Sequence, residues 1–427
     1  MTIPIDTHVD VNAAIGRLLR FLAVEGVTGR EKAIGDTVAA ALVEAGVPKS
    51  AIRHDDANEK ISLPTETGNL IATLPGTQPG PRVLFMTHLD TVPLAAGAVP
   101  VRKGDRVVPA GRTALGGDNR TGCAVLVTLA ATLLKHKLPH PPLTLLFTVR
   151  EESGLHGARH VDPADLGSPA MGFNFDGRSA SDVTIGAVGA ERWEVDILGK
   201  AAHAGVAPEQ GISATAVASI AIATAVRLGW FGKIVKDSEK LGESLKSRRR
   251  GAENKRARSR EVLRGTSNVG VFGGRDGRSA GDATNVVTDY VHIHGESRSH
   301  DARFAKAITA AYREAFRAAE TQVRDDRGRT AKVKFSARLD YHPFRLKETA
   351  PVVRHASRAV EAIGSRSKTK IANGGLDANW LVRRKIPTVT LGAGQNAIHT
   401  VDEFVDLTEF ATGCRLAVAL AVLAAGE

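Results

Sequence analysis

Histidine and acidic residues follow several apolar runs of this sequence in a pattern that suits metal binding. His88 and Asp90 end the apolar run RVLFMTHLD, residues 82–90. Side chains two positions apart on an extended chain project to the same side, and a carboxylate there can hold the second ring nitrogen of a metal-bound imidazole. The pair alone would equally suit a core histidine beside an aspartate that caps a turn.

Three more carboxylates stand where chain elements are predicted to meet. Asp118 lies in the glycine-rich GGDNRTG, just before a predicted helix, where it could bridge two metal ions or cap the helix. Glu151 and Glu152 end the apolar run LTLLFTVRE at 143–151, and burying two adjacent carboxylates is costly without a cation or a proton. Adjacent strand residues point to opposite faces, so the two can share a site only where the strand becomes loop. One could then bind a metal while its neighbour acts as a base, unless this is an exposed strand end.

Two further residues extend the pattern. Asp176 ends the third run, AMGFNFD at 170–176, and His399 lies in AIHTVDEFV at 397–405. Either residue is a weak signal by itself. Five possible ligands nevertheless stand at five strand or loop ends, and their two imidazoles and three carboxylates suit zinc, with cobalt or manganese as alternatives.

The elements that must position these residues predict an α/β fold. The runs at 82–90 and 143–151 are continuously apolar, which is typical of strands covered on both faces, and a helical pattern lies between them. The catalytic domain is therefore expected to hold a sheet of mostly parallel strands flanked by helices. Alternating strands at 191–205, 267–274, 284–298 and 331–340, with two helices, predict a smaller inserted α+β domain. The expected bounds are 1–188 and 342–427 for the catalytic domain and 189–341 for the insertion.

The composition is that of a globular protein in a reducing compartment. Hydrophobic residues make up 43% and charged residues 24% of 427 residues. The N-terminus lacks the basic and apolar regions of a signal peptide, and the apolar stretch at 212–226 is too short to span a bilayer. Two isolated cysteines, Cys123 and Cys414, match no metal or redox motif. We therefore expect a cytoplasmic protein without membrane association.

The positive charge is concentrated in one segment, residues 232–264, which we call the basic segment. It holds 12 Lys/Arg and 5 Asp/Glu, an excess of 7 out of the chain's net charge of +11. Its most basic stretch, 247–260, lacks the aromatic residues with which nucleic-acid surfaces stack bases. A solvated surface insertion is the favoured interpretation and nucleic-acid binding is disfavoured, but a site for an anionic partner stays open.

The ordered motifs resemble one enzyme family. They are HLDTVP, GGDNRTG, REESG, FDG, GKAAHAGVAPEQGISA and IHTVDEFV, and they span Thr87 to Leu407. In this order they resemble the peptidase T-like zinc metallopeptidases, a group that includes tripeptidases, aminoacylases, dipeptidases and glutamate carboxypeptidases. The resemblance implies a dinuclear zinc hydrolase that cleaves a peptide bond in short peptides.

The resemblance implies two zinc ions that share one aspartate. His88, Asp118 and Asp176 would hold one ion. Asp118, Glu152 and His399 would hold the other.

It also implies roles for residues around the metals. Asp90 would orient His88, Glu151 would be the general base, and the peptide bond after Asp118 would be cis. The sequence departs from the family at Arg120, where a lysine is usual. The positive charge is kept, so we expect little effect on the metals.

The inserted domain would supply substrate contacts and a dimer surface. His203 resembles the histidine that reaches the oxyanion of the scissile carbonyl, often from the partner of a dimer. Asn285 and Arg298 resemble substrate-binding positions. The resemblance therefore implies a homodimer formed through the inserted lid domain.

Two alternatives to a peptidase remain. An amidase that deacylates N-acyl amino acids would use the same centre. A protein that binds nucleic acid or another anionic partner through the basic segment would not need an intact centre.

Overall fold

Two compact units make up the chain. The first comprises Met1–Ala187 and Phe344–Glu427, and the second comprises Val188–Pro343. The computed structural model describes residues 8–237, 262–281 and 283–424.

The helices and strands are numbered here in chain order. The helices are α1 Val11–Leu22, α2 Lys32–Glu44, α3 Ala57–Lys60, α4 Gly117–His136, α5 His156–His160, α6 Ala214–Arg227, α7 Ala302–Glu320, α8 Pro351–Ala362, α9 Ala378–Arg383 and α10 Leu407–Leu423. The strands are β1 Ile52–His54, β2 Leu70–Leu74, β3 Val83–His88, β4 Pro100–Lys103, β5 Arg106–Pro109, β6 Leu143–Thr148, β7 Met171–Phe175, β8 Asp182–Ala187, β9 Gly189–Leu198, β10 Gly232–Asp237, β11 Val262–Gly273, β12 Tyr290–Ser299, β13 Lys332–Tyr341, β14 Phe344–Arg345, β15 Lys368–Ala372, β16 Thr388–Leu391, β17 Gln395–Asn396 and β18 Phe404–Asp406.

The main sheet of the first unit is mixed, with parallel strands at its centre. Its order is β1-β2-β6-β3-β7-β16-β8-β14, and β15 also pairs with β8. Strand β3 runs parallel to both β6 and β7, and β7 runs parallel to β16. Every residue of β3 and β6 is buried, as continuous apolar runs predict for strands covered on both faces. The predicted α/β class, with helices flanking a sheet that contains parallel strands, is confirmed.

This sheet fixes where the candidate ligands meet. Because β3, β6 and β7 run parallel, their carboxyl ends lie at one edge of the sheet. His88 is the last residue of β3, Asp176 directly follows β7, and the Glu151–Glu152 pair follows β6. Helix α4, which carries Asp118 in its first turn, is buried along most of its length.

In the described residues, the second unit forms a five-stranded antiparallel sheet packed against helices α6 and α7. The strand order is β10-β11-β12-β9-β13. Alternate residues of β9 and β12 face a core with helices α6 and α7, in which Trp193 stacks near Tyr312 and Phe335. Asp301 caps α7 by accepting hydrogen bonds from the amides of Arg303 and Phe304.

Three predicted strand bounds in this unit differ from the observed ones. Strand β9 ends at Leu198 instead of continuing to 205, and beyond it Lys200 forms an isolated antiparallel bridge with Ile212. Strand β12 begins only at Tyr290, whereas the alternating pattern suggested 284. Strand β11 begins already at Val262, inside the basic segment.

The ends of the basic segment are therefore strands rather than a loop. Residues 232–237 form β10, which pairs antiparallel with β11, and Asp237 lies opposite Val262. The rest of the segment, 238–261, lies outside the described residues.

Two observations concern the membrane and cysteine expectations. Among the residues that the structure describes, no helix is both long and apolar enough to cross a bilayer. Cys123 and Cys414 are buried and form no disulfide.

Candidate metal centre

Asp118 lies between two histidines that come from distant parts of the chain. Its Oδ1 lies 3.1 Å from Nε2 of His88, and its Oδ2 lies 3.2 Å from Nε2 of His399. His88 is 1% exposed and Asp118 is 5% exposed, so their facing atoms lie largely away from water, whereas His399 is exposed. A carboxylate with one oxygen toward each imidazole has the geometry of a bridging ligand.

The two remaining candidate ligands lie at the outer ends of this row. Oδ1 of Asp176 lies 3.8 Å from Nε2 of His88, and Oε1 of Glu152 lies 2.9 Å from Nε2 of His399. Ligand atoms of His88, Asp118 and Glu152 all lie within 4.8 Å of one another. The structure thus brings together all five residues that the sequence singled out as metal ligands.

Local backbone conformations aim these side chains. Gly116 adopts a left-handed conformation with φ of +79°, so the chain turns sharply before Asp118. The peptide bond from Asp118 to Asn119 is cis, as the resemblance implies. His399 also has a positive φ, +63°, in the loop before β18.

Asp90 joins the histidine to the glutamate pair. Nδ1 of His88 lies 2.9 Å from the backbone oxygen of Asp90 and 3.5 Å from its Oδ1. The Asp90 carboxylate also accepts hydrogen bonds from the backbone amides of Glu151 and Glu152, at 2.9 and 3.1 Å. Asp90 therefore contacts the imidazole most closely through its backbone oxygen, while its carboxylate holds the loop that carries both glutamates.

Glu151 follows a turn that separates it from the buried strand. Strand β6 ends at Thr148, and Arg150 has a φ of +52°, so Glu151 and Glu152 stand in a loop. Burial raises the pKa of Glu151 well above its usual value, and the nearby charges of Asp176 and Glu152 raise it further. A carboxylate with a raised pKa can both take up and return a proton.

The electrostatics of the row fit a cation site. Burial and the charge of Asp118 raise the pKa of Glu152 to about 7. Hydrogen bonds to Asp118 and Glu152 raise the pKa of His399 to about 10. Burial opposes the charged form of Asp118, but the two histidines outweigh it and lower its pKa. Crowded carboxylates with imidazole between them are what a pair of divalent cations would stabilise, and this set of nitrogen and oxygen donors suits zinc, cobalt or manganese.

Sequence reasoning missed the role of Glu403. Its Oε2 accepts hydrogen bonds from the amides of Leu115 and Gly116 at 2.9 and 3.0 Å, and its Oε1 accepts from the amide of Asp118 at 3.1 Å. Glu403 therefore holds the turn that presents Asp118. It lies in the same IHTVDEFV motif as His399, so a signal was present, but nothing in the spacing assigns it to a turn almost 290 residues away.

A second residue that the sequence analysis missed is Asp377. This buried aspartate directly precedes α9 but its side chain does not cap the helix, and it accepts a hydrogen bond from the hydroxyl of Thr148 at the end of β6. Burial raises its pKa to about 7, and the charges of His88, Asp176 and Asp90 act on it. Asp377 is therefore another buried carboxylate close to the candidate ligands.

The three predicted substrate residues lie in the second unit, and only two of them are neighbours. His203 and Val286 form an isolated β-bridge, and the amide of Ala204 donates to the carbonyl of Asn285 at 2.8 Å. His203 and Asn285 are both exposed. Arg298 lies near the far end of β12, where it pairs with Glu296 at 2.9 Å.

Comparisons with known proteins agree with this architecture. Residues 84–422 match the profile of peptidase family M20/M25/M40. The uncharacterised protein YqjE of Bacillus subtilis strain 168 is 31% identical over 354 residues, which are 83% of this chain and 84% of that protein.

Two solved structures resemble the whole chain. A tripeptidase of Staphylococcus aureus subsp. aureus Mu50 has a TM-score of 0.80 at 24% identity, with 98% of this chain and all of that chain covered. The aminopeptidase PepT of Bacillus cereus ATCC 10987 has a TM-score of 0.76 at 28% identity, with the same coverage. With the family profile matching most of its length, the chain belongs to peptidase family M20/M25/M40 and is a metallopeptidase.

Proposed function

We propose that this protein hydrolyses peptide bonds in short peptides with two divalent metal ions, most simply zinc. The observation that carries the proposal is Asp118, whose two oxygens face His88 and His399 at 3.1 and 3.2 Å. Asp176 and Glu152 stand at the outer ends, so each histidine has a carboxylate on both sides. Each half of the row then offers one imidazole and two carboxylates, one of which is shared.

The chain's own residues have separable tasks in this reaction. Bound in the row, the two ions would supply Lewis-acid polarisation of the scissile carbonyl and acidify an attacking water. Glu151 takes a proton from that water on its carboxylate and returns it to the nitrogen of the leaving amine. Asp90 holds Glu151 and Glu152 through their amides, so the base and a ligand keep a fixed spacing.

The base is tested by Glu151→Gln with metal content measured in the same samples. Glutamine keeps the shape of the side chain but cannot accept the proton, so hydrolysis should fall below about a tenth of the wild-type rate. The metal content should be unchanged, because Glu151 is not among the proposed ligands. Glu59→Gln, at an exposed position of α3, is the control. If Glu151→Gln retains more than about a tenth of the wild-type rate, the assignment of Glu151 as the base is wrong.

The substrate class is proposed as short peptides rather than N-acyl amino acids. Both reactions would use the same centre, and the motif GKAAHAGVAPEQGISA resembles the tripeptidase-like branch. The similarity of the whole chain to a tripeptidase and an aminopeptidase supports this choice. A panel of free tripeptides, N-blocked peptides and N-acyl amino acids tests it, since a higher kcat/KM for N-acyl amino acids would reverse it.

We also propose a homodimer in which the second unit of each chain serves its partner's site. His203 and Asn285 lie beyond one end of β12, and Arg298 lies near its other end. The eight residue-to-residue steps from Tyr290 to Arg298 span about 26 Å, whereas a tripeptide spans at most about 11 Å. One copy of the unit therefore cannot bring all three side chains to a single short peptide, but two copies can.

Mixed dimers test this arrangement. Co-expressed Glu151→Gln and His203→Ala chains would form heterodimers in which one site has both an intact base and an intact partner histidine. Random pairing then restores about a quarter of the wild-type activity, although each parent is nearly inactive. Activity no higher than the mean of the two parents, or a monomer in light scattering, contradicts the shared site.

A further inference from the structure

A second group of histidines and carboxylates lies on the sheet of the second unit. His292 and His294 are two residues apart on β12, so both side chains stand on the same face. We call these two residues the histidine pair. Their rings meet edge to face with centroids 4.3 Å apart, and their Nε2 atoms are 2.6 Å apart.

Each ring has a carboxylate opposite it on β9. Nδ1 of His292 lies 2.7 Å from Oδ1 of Asp196, which also accepts a 2.6 Å hydrogen bond from the hydroxyl of Tyr290. Nδ1 of His294 lies 3.6 Å from Oε1 of Glu194. An ionised carboxylate accepts a hydrogen bond but cannot donate one, so Asp196 holds the proton of His292 on Nδ1. The Nε2 lone pair of His292 then points toward the other ring.

Two imidazole nitrogens this close repel each other unless a cation lies between them or one of them carries a proton. A metal ion bound at 2.0–2.1 Å from each nitrogen, with tetrahedral geometry, would place the two Nε2 atoms about 3.3 Å apart. The rings need to separate by less than 1 Å to reach this distance. Both side chains have room to move, because 25% and 46% of their surfaces are exposed.

We propose that the histidine pair is a binding site for a divalent transition-metal ion, with solvent completing its coordination. The carboxylate–histidine arrangement at Nδ1 is the one that metal-binding histidines generally use to fix their tautomer. Two imidazoles suit Zn²⁺ and bind Cu²⁺ more tightly. The surroundings also carry positive charge, since Lys334 lies opposite Asp196 on β13 and Arg275 stacks on Tyr290. The site is therefore expected to bind more weakly than the buried centre.

The test adds one equivalent of Cu²⁺ to untagged protein whose buried centre has first been filled with two equivalents of Zn²⁺. Electron paramagnetic resonance should detect copper bound to two imidazoles, and only a large excess of Zn²⁺ should displace it. His292→Gln and His294→Gln should each weaken this binding by at least about tenfold, and Asp196→Asn by about 10- to 100-fold. His160→Gln, a histidine outside the pair, and Glu296→Gln, the next side chain on the same face, are matched controls.

Isothermal titration with Zn²⁺ alone gives an independent measurement. The wild type should bind one more ion than His292→Gln or His294→Gln. Thermal melting checks that the exposed substitutions leave the fold intact. Equal copper binding and equal zinc stoichiometry in the wild type and both variants would mean that the pair shares only a proton, and would overturn the proposal.

Discussion

The candidate metal centre of the first unit and the histidine pair of the second use the same kinds of ligand but obtain them differently. The centre gathers residues from His88 to His399, buries most of them and ties them to backbone amides through Asp90 and Glu403. The pair comes from a single strand, stays partly exposed and has one close carboxylate, Asp196.

The difference shows how the fold sets metal affinity. At the centre, the sheet and the buried hydrogen bonds fix the donor atoms before any ion binds, so little ordering remains to oppose binding. At the pair, the rings must separate and solvent must supply the remaining ligands. A substitution at the centre should therefore have a large effect on metal binding and activity. This effect should become smaller as the substituted residue lies farther from the donor atoms.

The largest effect is expected for Asp118→Asn. The amide loses the negative charge that faces both histidines, so both halves of the centre weaken together. Loss of a residue that only orients a metal ligand lowers metal affinity by up to about 100-fold. Loss of the shared ligand itself should lower the affinity by more than this, and peptide hydrolysis should be lost. Metal content after dialysis measures this, with Asp165→Asn, a partly exposed partner of Arg53, as the control. Full retention of two ions would show that Asp118 is not shared.

A smaller effect is expected for Glu403→Gln. Both oxygens of Glu403 accept hydrogen bonds from backbone amides. A glutamine would place its NH₂ group opposite one of these amides, so that two donors face each other and the turn before Asp118 should shift. Activity and metal affinity should fall by about 10- to 100-fold. The control is Glu320→Gln, which also accepts from a backbone amide but lies in the second unit. If Glu403→Gln and Glu320→Gln lower activity and metal affinity equally, the hydrogen bonds of Glu403 have no special importance for the centre.

A still smaller effect is expected for Arg120→Lys, which restores the residue usual in the family. The buried Arg120 guanidinium donates to the carbonyls of Leu89, Val24 and Gly26, and one ammonium group cannot reach all three. Unfolding in urea should show a loss of about 1–3 kcal/mol, with the metal content unchanged. Arg20→Lys, at an exposed ion pair, should cost less. Loss of metal from Arg120→Lys would show that the arginine supports the centre directly.

The smallest effect is expected for replacing residues 238–261 with Asn-Gly. Asp237 and Val262 are paired across two antiparallel strands, so a two-residue hairpin turn can join them. Peptide hydrolysis should stay within about twofold of the wild type. A salt-dependent shift of a DNA or RNA probe that disappears in this variant would support the anionic-partner alternative, and a large loss of hydrolysis would contradict the surface-insertion interpretation.

The sequence predicted the parts of the centre that depend on local pattern. Continuously apolar runs identified β3 and β6 as buried strands, and polar residues directly after such strands meet at one edge of a parallel sheet. Adjacent residues of a strand point to opposite faces, so a shared site required Glu151 and Glu152 to stand in a loop, which is where they lie. The pairing of ligands around Asp118 came from the family resemblance and not from spacing.

Contacts between distant segments were beyond the sequence. Glu403 resembles any acidic residue before a strand until the fold brings it to the amide of Asp118. Asp90 was expected to hold only His88, because nothing local reveals that its carboxylate also reaches the amides of two glutamates. The start of β11 was hidden by the surrounding positive charge, which masked its alternating pattern.

The central claim is that Asp118 is shared by two metal ions. A crystal of the zinc-loaded protein, measured at the zinc absorption edge, tests it most directly. The account predicts two anomalous peaks about 3.5–4 Å apart, one on each side of the Asp118 carboxylate. A single peak, or peaks that leave Asp118 outside their coordination, would contradict it.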